Sequence, residues 1–319
     1  MENLLRLLAD GRFHSGEELG SELGVSRAAV WKKLKALSAL GLELDAVRGK
    51  GYRLPGNIEL LNRNIIRESL PDDMRKSVGV QVELCTRSTN DDVRKLSAAS
   101  EPWQVCMAEH QSHGRGRRGR TWQSPFGASL YFSMLWRVDG GLAALEGLSL
   151  AVGLAVVKTL ESFGANGLKL KWPNDVLGNN KKLAGVLLEI SGDPTGSCEV
   201  VIGIGINLAL NRSQLETIDQ PATDVREMVG LSVSKNELAG RLTSTLIDML
   251  KTFKEYGFTP YRDEWMSRDA FSGQKVVLNI GGNKVTGVEA GVGENGALLL
   301  KTADGIQSFS GGEISVRKL

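Results

Sequence analysis

Apolar residues in the first part of the chain recur with a helical period. Leu4, Leu7 and Leu8 of ENLLRLLAD share one face, and Gly11 closes the segment. Ser15 and Glu18 in SGEELGSELG stand in the S-x-x-E relation of a capping box, with Leu19 and Leu23 four apart behind them. After the tight GVS turn, Ser26 is placed to cap RAAVWKKLKALSAL, whose Val30, Leu34 and Leu37 make a buried stripe. Two helices joined across a short glycine-containing turn predict a helix-turn-helix. LELDAVRGKGYRLP then predicts two short strands around Gly49-Lys50-Gly51, the wing of a winged helix.

Further on, the two periods alternate. RSTNDDVRKLSAA reads as a loop capped by Ser88 or Thr89 into a helix with Asp91 and Asp92 in its first turn. EPWQVCMAEHQ and TWQSPFGASLYFSMLW read as strands, KLKWPND as a strand ended by Pro173, and KKLAGVLLEI with CEVVIGIGINLAL as an antiparallel pair. ALEGLSLAVGLAVVKTLESFG is a long buried helix and ELAGRLTSTLIDMLKTFKEYG an amphipathic one. This order predicts an α+β fold, a central mixed sheet with its helices on one face. The tail changes again: KVVLNI, KVTGVEAGV, ALLLKT, IQSFS and EISVRKL are short β patterns separated by glycine-rich turns, which fits a small barrel. The organisation expected is therefore a winged helix over 1–60, a mixed-sheet domain over 64–271 and a barrel over 272–319.

Composition adds little except where charge clusters. With 319 residues, 41% hydrophobic and 24% charged, the chain has ordinary globular proportions and can bury a substantial core. Net charge is only +2, so a polyanion would have to be met by a local patch. Arg27, Lys32, Lys33, Lys35, Arg48, Lys50 and Arg53 form one, offset only by Glu43 and Asp45. DNA binding through the second helix and the wing is the reading preferred, with Ser26, Arg27, Lys32, Lys33, Lys35 and Lys50 at the contact; a basic protein-docking module is the alternative. Cys85, Cys106 and Cys198 lack a C-x-x-C spacing, which suits structural thiols in a reducing cytoplasm. The N-terminus does not read as a signal peptide, and the longest apolar run, Leu148 to Val157, is too short to cross a bilayer. A soluble cytoplasmic protein with no membrane partner is expected.

The candidate chemistry starts at GRGRRG, Gly114 to Gly119. It satisfies the G-x-G-x-x-G spacing of a dinucleotide-binding turn, yet strand-like sequence follows where that motif needs a helix N-terminus under the pyrophosphate. Four arginines on a glycine hinge, Arg115, Arg117, Arg118 and Arg120, instead suit a loop that folds over an anion. A solvated basic loop is the bland alternative. Downstream lie KWPND (Lys171 to Asp175), KKLAGVLLE (Lys181 to Glu189) and GIGIN (Gly203 to Asn207), with STN (Ser88 to Asn90) upstream.

In this order, these motifs resemble those of biotin protein ligases. With the winged helix in front and the small barrel behind, the whole chain resembles the bifunctional members that also act as biotin operon repressors. The resemblance implies a class II synthetase-like central domain, an SH3-like C-terminal barrel, and an ATP-dependent, AMP-forming reaction. Biotin's carboxylate would be joined to the α-phosphate of ATP, and the biotinyl group of biotinyl-5'-AMP passed to a lysine of a biotin carboxyl carrier protein. ATP and Mg2+ are the cofactors implied; the carrier, operator DNA and a second copy of the chain in the adenylate-bound state are the partners. Residue by residue it implies a catalytic role for Lys182, Arg117 and Asp175, with Asp175 also the candidate magnesium ligand. It implies biotin contacts from Ser88, Thr89, Asn90, Gln111, Arg115, Gly116, Arg117 and Lys182, and nucleotide contacts from Arg117, Arg118, Arg120, Trp122, Asn174 and Asn207. Gly203 and Gly205 would leave room for ligand against a strand, with a β-bulge as the alternative. No enzyme nucleophile is needed, since both attacking groups belong to substrates. A non-catalytic ligand-sensing transcription factor of the same fold, and a lipoate or octanoate ligase, stay open as alternatives.

Overall fold

The computed structural model describes residues 2–38, 42, 44–54, 58–230, 233–280, 283–310 and 314–318; Glu43 and the expected turns at 281–282 and 311–312 lie outside the described residues. The N-terminal unit comprises α1 (Glu2–Leu8), α2 (Gly16–Leu23), α3 (Arg27–Ser38) and the hairpin β1 (Asp45–Val47) with β2 (Gly51–Arg53). Both arms of the Ser15–Glu18 capping box form, and Gly24, at φ 63°, ends α2 in the left-handed region a side chain would strain. The Ala29 N–H donates to Ser26 Oγ at 3.3 Å, the cap expected for α3. Leu4, Leu5, Leu8, Leu19, Val30, Leu34 and Leu37 close one core. Phe126, far away in the chain, belongs to the same cluster. Gly127 beside it lies so close to Ile58 that a Cβ there would stand 3.0 Å from the Ile58 side chain.

This inserted ring gives a first expected result. Phe126→Ala should cost about 3–5 kcal/mol, as removal of a buried phenyl ring does, and the loss should appear as faster amide exchange in α1–α3. Equal acceleration throughout the chain would mean that the ring supports the central sheet instead.

The central unit holds α4 (Arg63–Glu68), β3 (Val78–Thr86), α5 (Thr89–Lys95), β4 (Trp103–Gln111), β5 (Ser129–Asp139), α6 (Leu148–Glu161), β6 (Lys169–Lys171) and β7 (Asp175–Gly178). It continues through β8 (Lys181–Gly192), β9 (Ser197–Asn207), α7 (Arg212–Glu216), α8 (Val225–Val229), α9 (Lys235–Tyr256) and α10 (Arg262–Ser267). The strands lie in the order β3-β4-β5-β9-β8-β7-β6, with β3–β4 parallel and the other pairs antiparallel. Alternation decides the faces. Leu130, Phe132, Met134 and Trp136 of β5 join Val200, Ile202, Ile204 and Ile206 of β9 in one core with residues of α6 and α9.

One expectation needs correction. Helices do not occupy one face alone, because α5 sits on the other, over a small cluster of Val93, Cys106, Leu135 and Val201. These come from the intervening positions of β4, β5 and β9, so the sheet is apolar on both sides near α5. The KLKWPND strand does stop at the Pro173 turn, after which the chain returns as β7, with Lys171 opposite Asp175. The run Gly141–Glu161 is long and apolar enough to span a bilayer by composition, but its most apolar window is 61% buried; α6 within it is a core helix packed on α9.

The C-terminal unit is an antiparallel SH3-like sheet of β10 (Lys275–Ile280), β11 (Asn283–Val292), β12 (Leu298–Thr302), β13 (Gly305–Phe309) and β14 (Ile314–Lys318), ordered β13-β12-β11-β10-β14. Its apolar residues Val276, Leu278, Val292, Leu298, Leu300 and Val316 are continuous with the central core. Trp172 Nε1 donates to the Gly296 carbonyl at 3.1 Å and Arg262 Nε to that of Val292 at 2.9 Å, tying the two units together.

Candidate active site

Beside α5 the same sheet face is open and forms a cavity of about 890 Å3, within the roughly 300–1,000 Å3 typical of small-molecule sites. Its floor is glycine: Gly185 of β8 pairs with Gly205 of β9, and Gly203 lies two residues away. The β8–β9 register runs unbroken, so these glycines mark no bulge. A Cβ on Gly205 would stand 2.4 Å from the Trp122 indole, and one on Gly203 2.5 Å from Asn90 Oδ1. The room they leave is filled by those two side chains.

One end is a buried polar network. Gln111 Oε1 accepts from Thr89 N at 2.9 Å and from Thr89 Oγ1 at 3.1 Å, and its Nε2 donates to Ser124 Oγ at 3.2 Å. Ser133, on β5, lies 2.7 Å from Thr89 Oγ1 and 2.6 Å from Asn90 Oδ1. Ser88 occupies the cap position of α5 without making a side-chain capping bond, so its hydroxyl is not the plain helix cap that the sequence allows. STN is thus a buried wall of the cavity, with Ser88, Thr89 and Asn90 all nearly inaccessible.

The arginine loop leaves β4 as a tight turn. Gly116 N–H bonds the Arg120 carbonyl at 2.8 Å, while Arg118 at φ 60° and Gly119 at φ 69° fold the tip in the left-handed region. No long helix follows, which removes the dinucleotide-turn reading. Arg115 is fastened to the protein: Nη2 reaches Asp91 Oδ1 at 2.7 Å and Nε reaches Glu189 Oε1 at 2.9 Å, with Arg94 on Glu189 at 3.0 Å. The bonds to Asp91 and Glu189 raise the guanidinium's pKa. The Arg115 bond holds Asp91 below the usual carboxylate range. At Glu189, burial pushes upward but the Arg115 and Arg94 charges outweigh it, leaving a lowered carboxyl. Arg115 lines the cavity, yet its charge anchors the loop to α5 and β8. Arg117 behaves differently. Its Nη1 donates to Asn174 Oδ1 at 3.3 Å, and burial lowers its pKa against the pull of Asp175.

Lys182 Nζ stands 2.7 Å from Asp175 Oδ1 and 5.2 Å from the Trp122 ring centroid. The same Asp175 oxygen is buried with no well-aligned hydrogen bond among the described residues, so the ammonium is close but leaves acceptor capacity unused. The Lys182 backbone is strapped on both sides, its N–H to the Pro221 carbonyl at 2.8 Å and its carbonyl to Thr223 N–H at 2.9 Å. Asn207 is buried and gives its amide to the Thr223 carbonyl at 3.1 Å, which secures that strap. Asn174 similarly clamps its turn to β8 through the Val186 carbonyl at 2.8 Å. Gly116, Arg118, Arg120, Trp122, Asn174 and Asn207 all line the cavity.

Several lining groups escaped the sequence reading. Lys171 stood inside the quoted KWPND motif; burial lowers its ammonium's pKa, against the pull of Asp175. The segment 217–222, Phe271, Arg317 and Lys318 carry no local pattern of their own and meet the site only through folding; Ser133 stands behind the lining, bonded to Thr89 and Asn90. Arg117, Arg118, Arg120, Lys171, Lys182, Arg317 and Lys318 therefore surround a space containing the carboxylates Asp175 and Asp219. Such a cavity is built to hold more than one anionic group at close quarters.

On the winged helix, Arg27, Lys32 and Lys35 are exposed along α3 while Val30, Leu34 and Leu37 are buried, and Lys50 is exposed at the wing turn. Ser26 is spent on the cap, and Lys33 is half-buried. Trp31, 54% exposed with Lys35 Nζ 5.5 Å from its ring centroid, adds an aromatic to this basic face that the charge pattern did not reveal.

Residues 82–207 match the biotin/lipoate A/B protein ligase family, residues 1–53 an HTH domain and residues 271–317 the biotin protein ligase C terminal domain. The bifunctional ligase/repressor BirA of Salmonella typhimurium is 41% identical over 314 residues, 98% of this chain and 96% of the relative. The biotin--[acetyl-CoA-carboxylase] ligase of Paracoccus denitrificans is 34% identical over 233 residues, 72% of this chain and 97% of its own. Among solved structures, the biotin protein ligase from Aquifex aeolicus in complex with biotin and ATP aligns with a TM-score of 0.66 at 32% identity, covering 76% of this chain and 99% of that one.

Proposed function

Because this chain belongs to the biotin protein ligase family, alongside its bifunctional ligase/repressor members, we propose that it condenses biotin with ATP and transfers the biotinyl group to a carrier lysine. The observation that carries this reading is the cationic wall, Lys182, Arg117 and Lys171 around Asp175, facing a glycine floor in one cavity. Two unit negative charges brought to 4 Å at an effective dielectric near 20 repel by about 4 kcal/mol. A carboxylate attacking a phosphate meets that opposition unless cations are already in place. Lys182 and Arg117 supply them, and Arg118 and Arg120 lie on the loop tip that would shield the mixed anhydride from water.

Biotin is assigned to the end walled by Ser88, Thr89, Asn90 and Gln111, with Gly116 and the anchored Arg115 above it; the nucleotide to the end with Trp122, Asn174, Asn207 and Arg120. Asp175, whose Oδ1 is paired with Lys182 Nζ at 2.7 Å but accepts no aligned hydrogen bond among the described residues, would serve as the single carboxylate of a magnesium site completed by substrate phosphates, and the ion would further neutralise phosphate charge. The acceptor lysine arrives on the carrier, so the protein needs only to hold the anhydride and leave the acyl carbon accessible. We divide the chain at 1–60, 64–271 and 272–319, assign it to the cytoplasm, and take the basic face of α3 and the wing as the operator-binding surface, used by a homodimer when adenylate is bound.

The test is incubation with biotin, ATP, magnesium and a biotin-carrier domain, with lipoate and octanoate in parallel. The acceptor should gain the mass of one biotinyl group and none from the other acids. An unmodified acceptor would favour a ligand-sensing regulator, and transfer of lipoate or octanoate would place the chain with those ligases.

A further inference from the structure

Away from the cationic wall, two buried carboxyls meet where the barrel joins the central unit. Asp269 follows α10 on a stretch pinned to β6, Leu170 N–H to the Arg268 carbonyl and Ala270 N–H to the Leu170 carbonyl, both at 2.8 Å. Glu289 lies on β11, its backbone bonded to the linking turn through Gly273 N–H at 3.0 Å and the Gln274 carbonyl at 2.9 Å. Asp269 is 8% exposed and Glu289 2%. The two side chains face each other within hydrogen-bonding reach. Asp269 Oδ2, Glu289 Oε2 and the neighbouring Gln274 Oε1 are buried with no donor among the described residues.

An ionised carboxylate only accepts, so two of them form a hydrogen bond only if one keeps a proton. The surrounding charges do not replace it. Lys169 of β6 acts on Asp269 from a distance, and Arg268 is committed to Glu161 and Glu264. Gln274 spends its amide N–H on the Ala270 carbonyl, while Lys275 of β10 and Lys301 of β12 are exposed. Burial raises both carboxyls, and the Asp269 charge helps to push Glu289 up to about 8.

We propose that Asp269 and Glu289 share one proton, and that this bond is a clasp holding the barrel where Phe271 and Arg317 face the cavity. The pair are positioning residues for the nucleotide half of the reaction, an inference that rests on the ligase reading above. Phe271, two residues after Asp269, stands in the cavity wall beside Val316, Arg317 and Lys318 of β14, so movement of the barrel displaces these three relative to it. The clasp is closed at neutral pH. As pH rises through about 8, the proton leaves, two like charges face each other in a dry site, and the barrel loosens.

The test measures biotin-dependent pyrophosphate release by the full chain, with the KM for ATP and the KM for biotin determined at neutral and alkaline pH. For the wild type, the KM for ATP should rise about ten-fold between about pH 7 and about pH 9 as the clasped fraction falls. Glu289→Gln and Asp269→Asn each keep an acceptor and supply an N–H donor without a titrating proton. Both should match the wild type near neutrality and lose most of that alkaline rise, with the KM for biotin little affected. An unchanged rise in both variants, or an equal rise in the two KM values, overturns the clasp. Melting temperature against pH provides a reading independent of activity. The wild type should fall relative to both variants over the same range, and parallel curves would reject the shared proton. Failure of the wild type to release pyrophosphate at any pH would count against the ligase reading, while the melting curves would still decide the clasp.

Discussion

Lys182→Ala should slow biotin-dependent pyrophosphate release by about 10²–10³-fold, the usual effect of deleting one preorganised donor at a developing charge. The expectation rests on how firmly this ammonium is placed. Its backbone is bonded at both N–H and carbonyl to the 221–223 strap, and its Nζ is set between Asp175 at 2.7 Å and the Trp122 ring at 5.2 Å. A cation fixed before substrate arrives needs no reorganisation when charge shifts along the reacting oxygens. Arg117 and Lys171 remain in the variant, but burial already works against their charge and neither shares the strap. Single-turnover measurement at saturating ATP and biotin separates the step from binding. A rate within two-fold of wild type, at an unchanged melting temperature, would remove Lys182 from the reaction and reduce it to a partner for Asp175.

The sequence was most legible where local physics decides the outcome. The Ser15–Glu18 box, the cap at Ser26 and the five strands of the barrel depend on turn chemistry and period, both written in neighbouring residues. The position of α5 was missed because alternation tells which residues leave one face of β4, β5 and β9, and not what covers the other. The motifs brought the core of the cavity together, since RGR, KWPND, KLAG and GIGIN converge on one floor. Roles were harder to read. Arg115 looks in sequence like its neighbour Arg117, but Asp91 and Glu189, distant in the chain, claim it as an anchor. Gly203 and Gly205 read as space for a ligand, and the structure shows the space taken by Asn90 and Trp122. Arg317, near the last residue, could be brought to the site only by the barrel's docking.

Adenylate should tighten binding of a palindromic operator by about ten-fold or more, and should shift the protein from monomer to dimer over the same concentration range. One α3 with its wing presents few contacts, whereas two copies read two half-sites and gain from effective concentration. A route from ligand to this surface exists in the fold. The arginine loop leads through Trp122 and Ser124, which are bonded to each other, to Phe126, which is part of the winged-helix core, so a change in the loop on ligand binding would bear on the packing of that unit. Ligand can shift the equilibrium only by its preference for the dimer-competent state, and the same coupling then requires DNA to strengthen adenylate binding. Arg27, Lys32, Lys35 and Lys50 are exposed to meet phosphates, so affinity should fall steeply with salt, and each neutralising substitution should reduce that slope by roughly one. Trp31→Ala should instead weaken operator more than random DNA, because an exposed indole carries no charge to a phosphate. The measurement is a titration of operator and random duplex at fixed salt, with and without biotin plus ATP, while mass is followed by sedimentation. DNA affinity and assembly state both indifferent to adenylate would leave the winged helix a constitutive binder, uncoupled from the cavity. Dimerisation without tighter DNA binding would mean that the coupling to DNA does not pass through Phe126.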